Sequence, residues 1–173
     1  MAAAKALRFP YDQKPYAYEG EALRKAWDRL HKGDCEPFPD TVALQHAWRA
    51  FHRGDFADAI AQGSKLGAPG SVVASKAAAV AATYLEEDDR RALKLLDDAA
   101  KRAEEATRTL PAHANVWYMQ AFVLGRYAQR ISIVKALAEG IGTKVRKALD
   151  RTLELAPVGR TDGDIGVCDG GVA

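Results

Sequence analysis

Residues 22–34 read ALRKAWDRLHKGD and residues 43–55 read ALQHAWRAFHRGD. Seven of the thirteen positions are identical at an offset of 21, with Lys/Arg and Leu/Phe exchanges besides. A repeat of this quality implies one structural unit used twice. In each copy Leu, Trp and His fall at i, i+4 and i+8 (Leu23, Trp27, His31; Leu44, Trp48, His52), so they share one face of an α-helix. Gly-Asp then closes each helix, since glycine accepts the left-handed conformation that ends one. The copies diverge afterwards. After Asp34 comes CEPFPD, in which Pro37 and Pro39 forbid an immediate second helix. After Asp55 comes FADAIAQGSKLG, where Phe56, Ala59 and Ile60 keep helical spacing and predict an antiparallel helix over 56–66, ended by Gly67-Ala68-Pro69-Gly70.

Working outward, Ser71 is the expected N-cap of a helix reaching about Leu85, and EEDD at 86–89 supplies a turn with acidic residues for the next helix start. Helix 90–109 carries Ala92, Leu93, Leu96, Ala99, Ala100, Ala103 and Ala106 as its apolar stripe and stops before Leu110-Pro111. HANVWYMQAFVLGRYAQR, from His113, is apolar nearly all round and reads as a central helix. The last segment runs to Pro157, with Gly140 and Gly142 expected to bend or interrupt it.

Composition agrees. Thirty-four alanines and 15 leucines stand against 23 Val, Ile and Thr together and a single Asn. That is a helix-forming alphabet, and it excludes a mostly β or a parallel α/β fold. The 173 residues make about one domain. Three segments are predicted: an extended N-terminal stretch at 1–18, the helical repeat domain at 19–157, and a Gly/Asp-rich tail at 158–173. Because helical stacks need a polar terminal cap and this tail offers no amphipathic helix, continuation beyond Ala173 is expected.

FHRGDFADAI at 51–60, with Ala47 and Ala59 at small crossing positions, and ALDRTLELAP at 148–157, with Pro157 as terminator, resemble the tetratricopeptide repeat. The stretch from His113 to Pro157 is also similar to a narrower group, the tetratricopeptide-type T-components of TRAP solute transporters and the related microtubule-dynamics regulators. Gly63 departs from the family pattern, which prefers an aromatic there. The resemblance implies an all-α fold, a right-handed α-α superhelix of three to four helical pairs whose first helices line a concave groove.

In the second repeat copy Ala43, Ala47 and Ala50 offer one side for close helix approach, while Leu44, Trp48, Phe51 and His52 lie on another. By the resemblance, the groove candidates are Trp27, Trp48, Phe51, His52, Tyr84, Asn115, Tyr118, Phe122 and Arg126. For Trp27, Trp48 and Phe122 core packing is the stronger reading; His52, Asn115 and Arg126 are costly to bury unpaired and are expected at the groove surface.

No catalytic constellation is found. The four histidines are scattered and read as solvated or capping; the tail lacks the oxygen donors of a calcium loop; EGIGTK at 139–144 lacks the order of a phosphate loop; and no serine sits in a nucleophile elbow. Cys35 and Cys168 lack a repeated spacing, so reduced thiols are expected. Basic and acidic residues, 25 and 23, are interleaved, and no basic face with interleaved aromatics points to nucleic acid. The run at 71–85 contains Lys76 and is too short to cross a bilayer. Nothing in the first twenty residues directs export, which predicts a cytoplasmic protein, or a periplasmic one if a leader was removed.

The expected function is therefore non-catalytic, without metal or cofactor: a scaffold binding a protein or peptide, or another copy of itself, through its groove. A transporter accessory holding a small organic ligand and a purely structural oligomer are the alternatives.

Overall fold

The structure, a computed structural model, describes Leu7 and residues 9–156. Among the described residues there are eight α-helices and no strand. They are α1 (Ala22–Leu30), α2 (Val42–Arg53), α3 (Phe56–Lys65), α4 (Ser71–Tyr84), α5 (Asp89–Thr109), α6 (Ala114–Ala128), α7 (Ile133–Ala138) and α8 (Ile141–Leu155). Short 3-10 turns occupy Lys14–Tyr16 and Ala68–Gly70. The protein is all-α. The tail expected at 158–173 lies outside the described residues.

Short connections make α2 to α6 a run of neighbouring helices, each packed on the next. Alternate helices also touch, α2 on α4 and α4 on α6. Helix α4 therefore lies at the centre, contacting α2, α3, α5 and α6, and ten of its fourteen residues are buried. Its low bulk allows this. Ala74, Ala77, Ala78, Ala79, Ala81 and Ala82 let neighbouring helices approach from several sides. The core divides into two clusters about this helix. One gathers Leu23, Trp27, Trp48, Phe56, Val73 and Val116; the other Leu96, Ala99, Val123, Tyr127 and Ile141.

The two repeat copies end differently. Gly54 closes α2 with φ +84, its N–H bonded back to Phe51, as the repeat predicted. In the first copy α1 ends at Leu30, and the left-handed residue is Cys35 at φ +49 rather than Gly33. The downstream chain is the cause: α3 begins almost directly after Gly54, whereas Pro37 and Pro39 hold the backbone extended after Asp34.

Three further expectations are corrected, and a fourth holds for one of its two residues. Ala43 is exposed, so the close approach on α2 uses Ala47 and Ala50. Ser71 is the first residue of α4 rather than its cap; Gly70 caps the helix, and the Ser71 hydroxyl is buried without a partner. Cys35 is disulfide-bonded rather than a reduced thiol. Finally, Gly140 at φ +63 splits the last segment into α7 and α8, while Gly142 lies within α8. The unusual Gly63 is also accounted for. It stands against Gly70, whose carbonyl oxygen would lie 2.8 Å from a Cβ at 63, and a methyl group at Gly70 would overlap the Gly63 carbonyl. An aromatic side chain has no room there.

Candidate functional site

Two groups of the sequence-predicted residues come together, one beneath the surface and one upon it. Trp27 and Trp48 are 3% and 1% exposed, with ring centroids 5.5 Å apart edge to face. They are core, as the stronger of the two readings had it, and leave the list of groove candidates: each repeat copy turns its tryptophan toward the other, so the face the two copies share is the α1–α2 interface. The Trp27 indole N–H donates to the Glu36 carbonyl oxygen at 2.6 Å, which pins the 31–39 loop across α1.

A polar chain threads this aromatic cluster. Lys76 on α4 donates to Asp34 Oδ2; Asp34 Oδ1 is 2.8 Å from His31 Nδ1; and His31 Nε2 is 3.2 Å from His52 Nε2. A His31 ring that donates from Nδ1 to Asp34 leaves Nε2 to accept from the His52 Nε2–H. His31, expected to be solvated or capping, is buried and stacked on Trp27. Burial alone would resist ionisation of Asp34, but hydrogen bonds from His31 and Lys76 outweigh it and hold the carboxyl at about 2. Desolvation, aided by His31 and Lys76 nearby, pushes His52 down to about 3, so its ring is neutral.

Asn115 is 9% exposed and donates to Glu36 Oε2 at 2.6 Å, joining α6 to the 31–39 loop. It is corrected from groove to buried partner. A carboxamide escapes the cost of burial by pairing. Glu36 is itself pushed up to about 7, chiefly by burial, with Asp34 adding to the rise and Asn115 and Lys76 opposing it. His113 Nε2 lies 3.9 Å from Glu36 Oε1.

The other candidates reach the surface of α2, α4 and α6. On α6, Tyr118, Phe122 and Arg126 follow at i, i+4 and i+8; the two rings stack at 6.1 Å and the Arg126 guanidinium lies 5.4 Å over Phe122. On α4, Lys76, Val80 and Tyr84 form a parallel row of the same spacing. Phe51 on α2 meets the Lys76 ammonium at 5.6 Å, while Phe122 and Val80 pack against the same core cluster. Phe51, His52, Phe122 and Arg126 are part-buried; Tyr118 is 37% and Tyr84 71% exposed. These three helices thus carry one amphipathic strip, aromatic and cationic, whose ordinary explanation as unpartnered core ends at the two tyrosines.

At one end the strip opens into a cleft of about 680 Å³ lined by Thr83, Asp89, Arg90, Leu93, Arg126, Gln129, Arg130 and Ile131. Arg130 is held in place, donating to the Ala82 carbonyl at 2.7 Å and pairing with Asp89 at 2.8 Å. Of these only Arg126 was a site candidate from the sequence. Arg90 and Arg130 were missed because one lies on another helix and the other in the 129–132 connection, and only packing of α4 on α5 and α6 brings them together. A second cleft, about 640 Å³, lies between Trp117 and the basic end of α8, where Arg146 and Lys147 alternate with Asp150 and Glu154. Mixed charge there matches a solvated helix.

No group of three or more metal-ligating side chains occurs among the described residues, and no described helix is long and apolar enough to cross a membrane. Comparison with known proteins found no matching family model, no matching curated protein and no matching solved structure.

Proposed function

We propose that this protein is a non-catalytic scaffold of the tetratricopeptide kind, its helical pairs arranged as a right-handed superhelix, which binds a segment of a partner protein along the strip formed by α2, α4 and α6. One observation carries this reading: Tyr118, Phe122 and Arg126 form a stacked ladder at the surface, beside the Lys76–Val80–Tyr84 row on the helix packed against it. Aromatic rings supply contact area at small entropic cost, and a guanidinium fixes orientation. Buried Trp27, Trp48 and Asn115 support the strip from below.

The test is a double variant, Tyr84→Ala with Tyr118→Ala, chosen because both side chains are exposed and neither supports the core. Capture of a partner from lysate is expected to fall to background while helicity by circular dichroism is unchanged. Undiminished capture would refute the reading.

Self-association is a second reading, favoured by Ile133, Val134 and Leu137, which α7 leaves exposed.

A further inference from the structure

The cleft at the end of the strip has a charge pattern that the scaffold reading alone does not use. Three guanidinium-bearing residues line it, Arg90, Arg126 and Arg130, against one carboxylate, Asp89. No lysine is among them. Asp89 is engaged by Arg130, and the acids of the preceding turn are committed elsewhere: Glu86 pairs with Arg91 at 3.0 Å and Asp88 accepts from the Arg91 backbone N–H. Arg90 forms no direct ion pair among the described residues, its charge being felt by the Asp88 carboxylate outside the cleft lining, and the side-chain hydrogen bond of Arg126 goes to the neutral Gln129 oxygen, at 3.4 Å. Two guanidinia, arising from different helices, therefore line one cleft whose single carboxylate, Asp89, is paired with neither of them. Like charges do not converge without cost, and the orientation of two of the three is imposed: Arg130 is fixed by the Ala82 carbonyl and Asp89, and Arg126 by the face of Phe122.

We propose that this cleft is a binding subsite for a phosphate monoester, with Arg90 and Arg126 as the anion's ligands and Arg130 as a fixed flank. The match is one of charge and shape. A phosphate monoester carries about −1.5 to −2 at neutral pH and offers three acceptor oxygens. The lining charges sum to about +2, and planar guanidinium forks present paired N–H donors that suit a phosphoryl group better than ammonium points do. A lone carboxylate would neutralise half of this charge. The organic part of the ester has apolar wall to rest on, Leu93 from α5 and Ile131 after α6. The subsite rests on the scaffold reading only for the origin of the ester: a phosphorylated side chain of a bound segment, or a small phosphate ester on its own.

The experiment titrates the purified full chain with phenyl phosphate, observing arginine side-chain resonances by ¹H–¹⁵N NMR. Saturable shifts are expected at Arg90 and Arg126, with an affinity of roughly millimolar or tighter. The affinity rises between pH 5 and 7 as the second phosphate proton, of pKa about 6, is lost. Benzoate is expected to bind at least tenfold more weakly. Arg90→Gln with Arg126→Gln removes the binding; Arg146→Gln, in the other cleft, leaves it unchanged. Neither Arg90 nor Arg126 carries a core contact that its loss would collapse, and an unaltered amide spectrum checks that. Absence of saturable shifts, equal binding of benzoate, or full binding by the double variant would overturn the assignment.

A phosphoserine peptide flanked by leucines then separates the two sources. Tighter binding than phenyl phosphate identifies a phosphorylated segment, and equal or weaker binding identifies a small ester; either supports the subsite. Failure here leaves the Tyr84/Tyr118 capture result standing, so the two readings fall separately.

Discussion

At the residue scale, most of the unusual chemistry lies in Glu36 and its neighbours. A carboxyl held at about 7 in the folded chain, against an ordinary 4.5, is one whose ionised form the fold disfavours. Its sign is therefore the reverse of a normal ion pair: the folded state holds the proton more tightly than the unfolded, and stability declines as pH rises from 4.5 to 7. The groups facing it are Asn115 and His113 from the α6 side, with Asp34 and Lys76 acting at longer range. His52, held at about 3 against 6.5, acts oppositely, contributing stability that is lost as pH falls below 6.5. Asp34, held at about 2, adds a loss below 3.8. The Glu36 and His52 slopes oppose each other between pH 4.5 and 6.5. Glu36→Gln keeps an acceptor for Asn115 and removes the charge. The variant is expected to be more stable than the parent at about pH 8, by on the order of 2 to 3 kcal/mol, and equal to it near pH 4.5. Urea unfolding at both pH values measures this, and a parallel shift at the two would show that burial of the charge is not the cause.

Gly70 supplies a second prediction at this scale. Because a Cβ there would overlap the Gly63 carbonyl, Gly70→Ala is expected to cost about 1–3 kcal/mol, read as a lower denaturation midpoint with an unchanged slope. Read from the sequence, the two glycines had separate reasons, a loop at Gly70 and a departure from the repeat pattern at Gly63; their shared cause is mutual contact.

At the element scale, the helices follow from local rules, and their ends show why. Thr41 caps α2 by accepting from the Leu44 N–H, Asp88 caps α5, and Ser132 caps α7. Gly140 and Gly142, two residues apart, make opposite predictions. Gly140 stands at φ +63 with open space around it, so Gly140→Ala costs about 1 kcal/mol from backbone conformation alone. Gly142 lies inside α8, also in open space, and Gly142→Ala stabilises by about 0.5 kcal/mol. Thermal unfolding of the pair is expected to show midpoints on either side of the parent's; a like shift for both would mean that Gly140 is not constrained as described.

At the scale of the whole molecule, exposed Ile133, Val134 and Leu137 on α7 and Leu149 and Leu153 on α8 are the largest apolar side chains left uncovered toward the end of the described chain. If they mediate self-association, light scattering of the parent shows a mass above 18.7 kDa that rises with concentration. Ile133→Glu with Leu137→Glu then returns it to the monomer value. A parent that is monomeric at all concentrations removes that reading and leaves the strip on α2, α4 and α6 as the surface to pursue.

By itself the sequence determined the helices, because apolar spacing, caps and breakers act within a few residues: the repeat at 22–34 and 43–55, the start of α5 at the acidic turn and the break at Gly140 were legible there. It also determined that Tyr118, Phe122 and Arg126 share one helical face. It did not separate core from surface for residues on such faces, since periodicity gives direction but not what lies in that direction. Trp27 and Trp48 turned toward each other, His31 was buried by pairing with Asp34, and Asn115 by pairing with a glutamate 79 positions away. Only the tertiary structure decided these, and only it gathered Arg90, Arg126 and Arg130 into one cleft, because charges from separate segments meet through helix packing and leave no mark on local pattern.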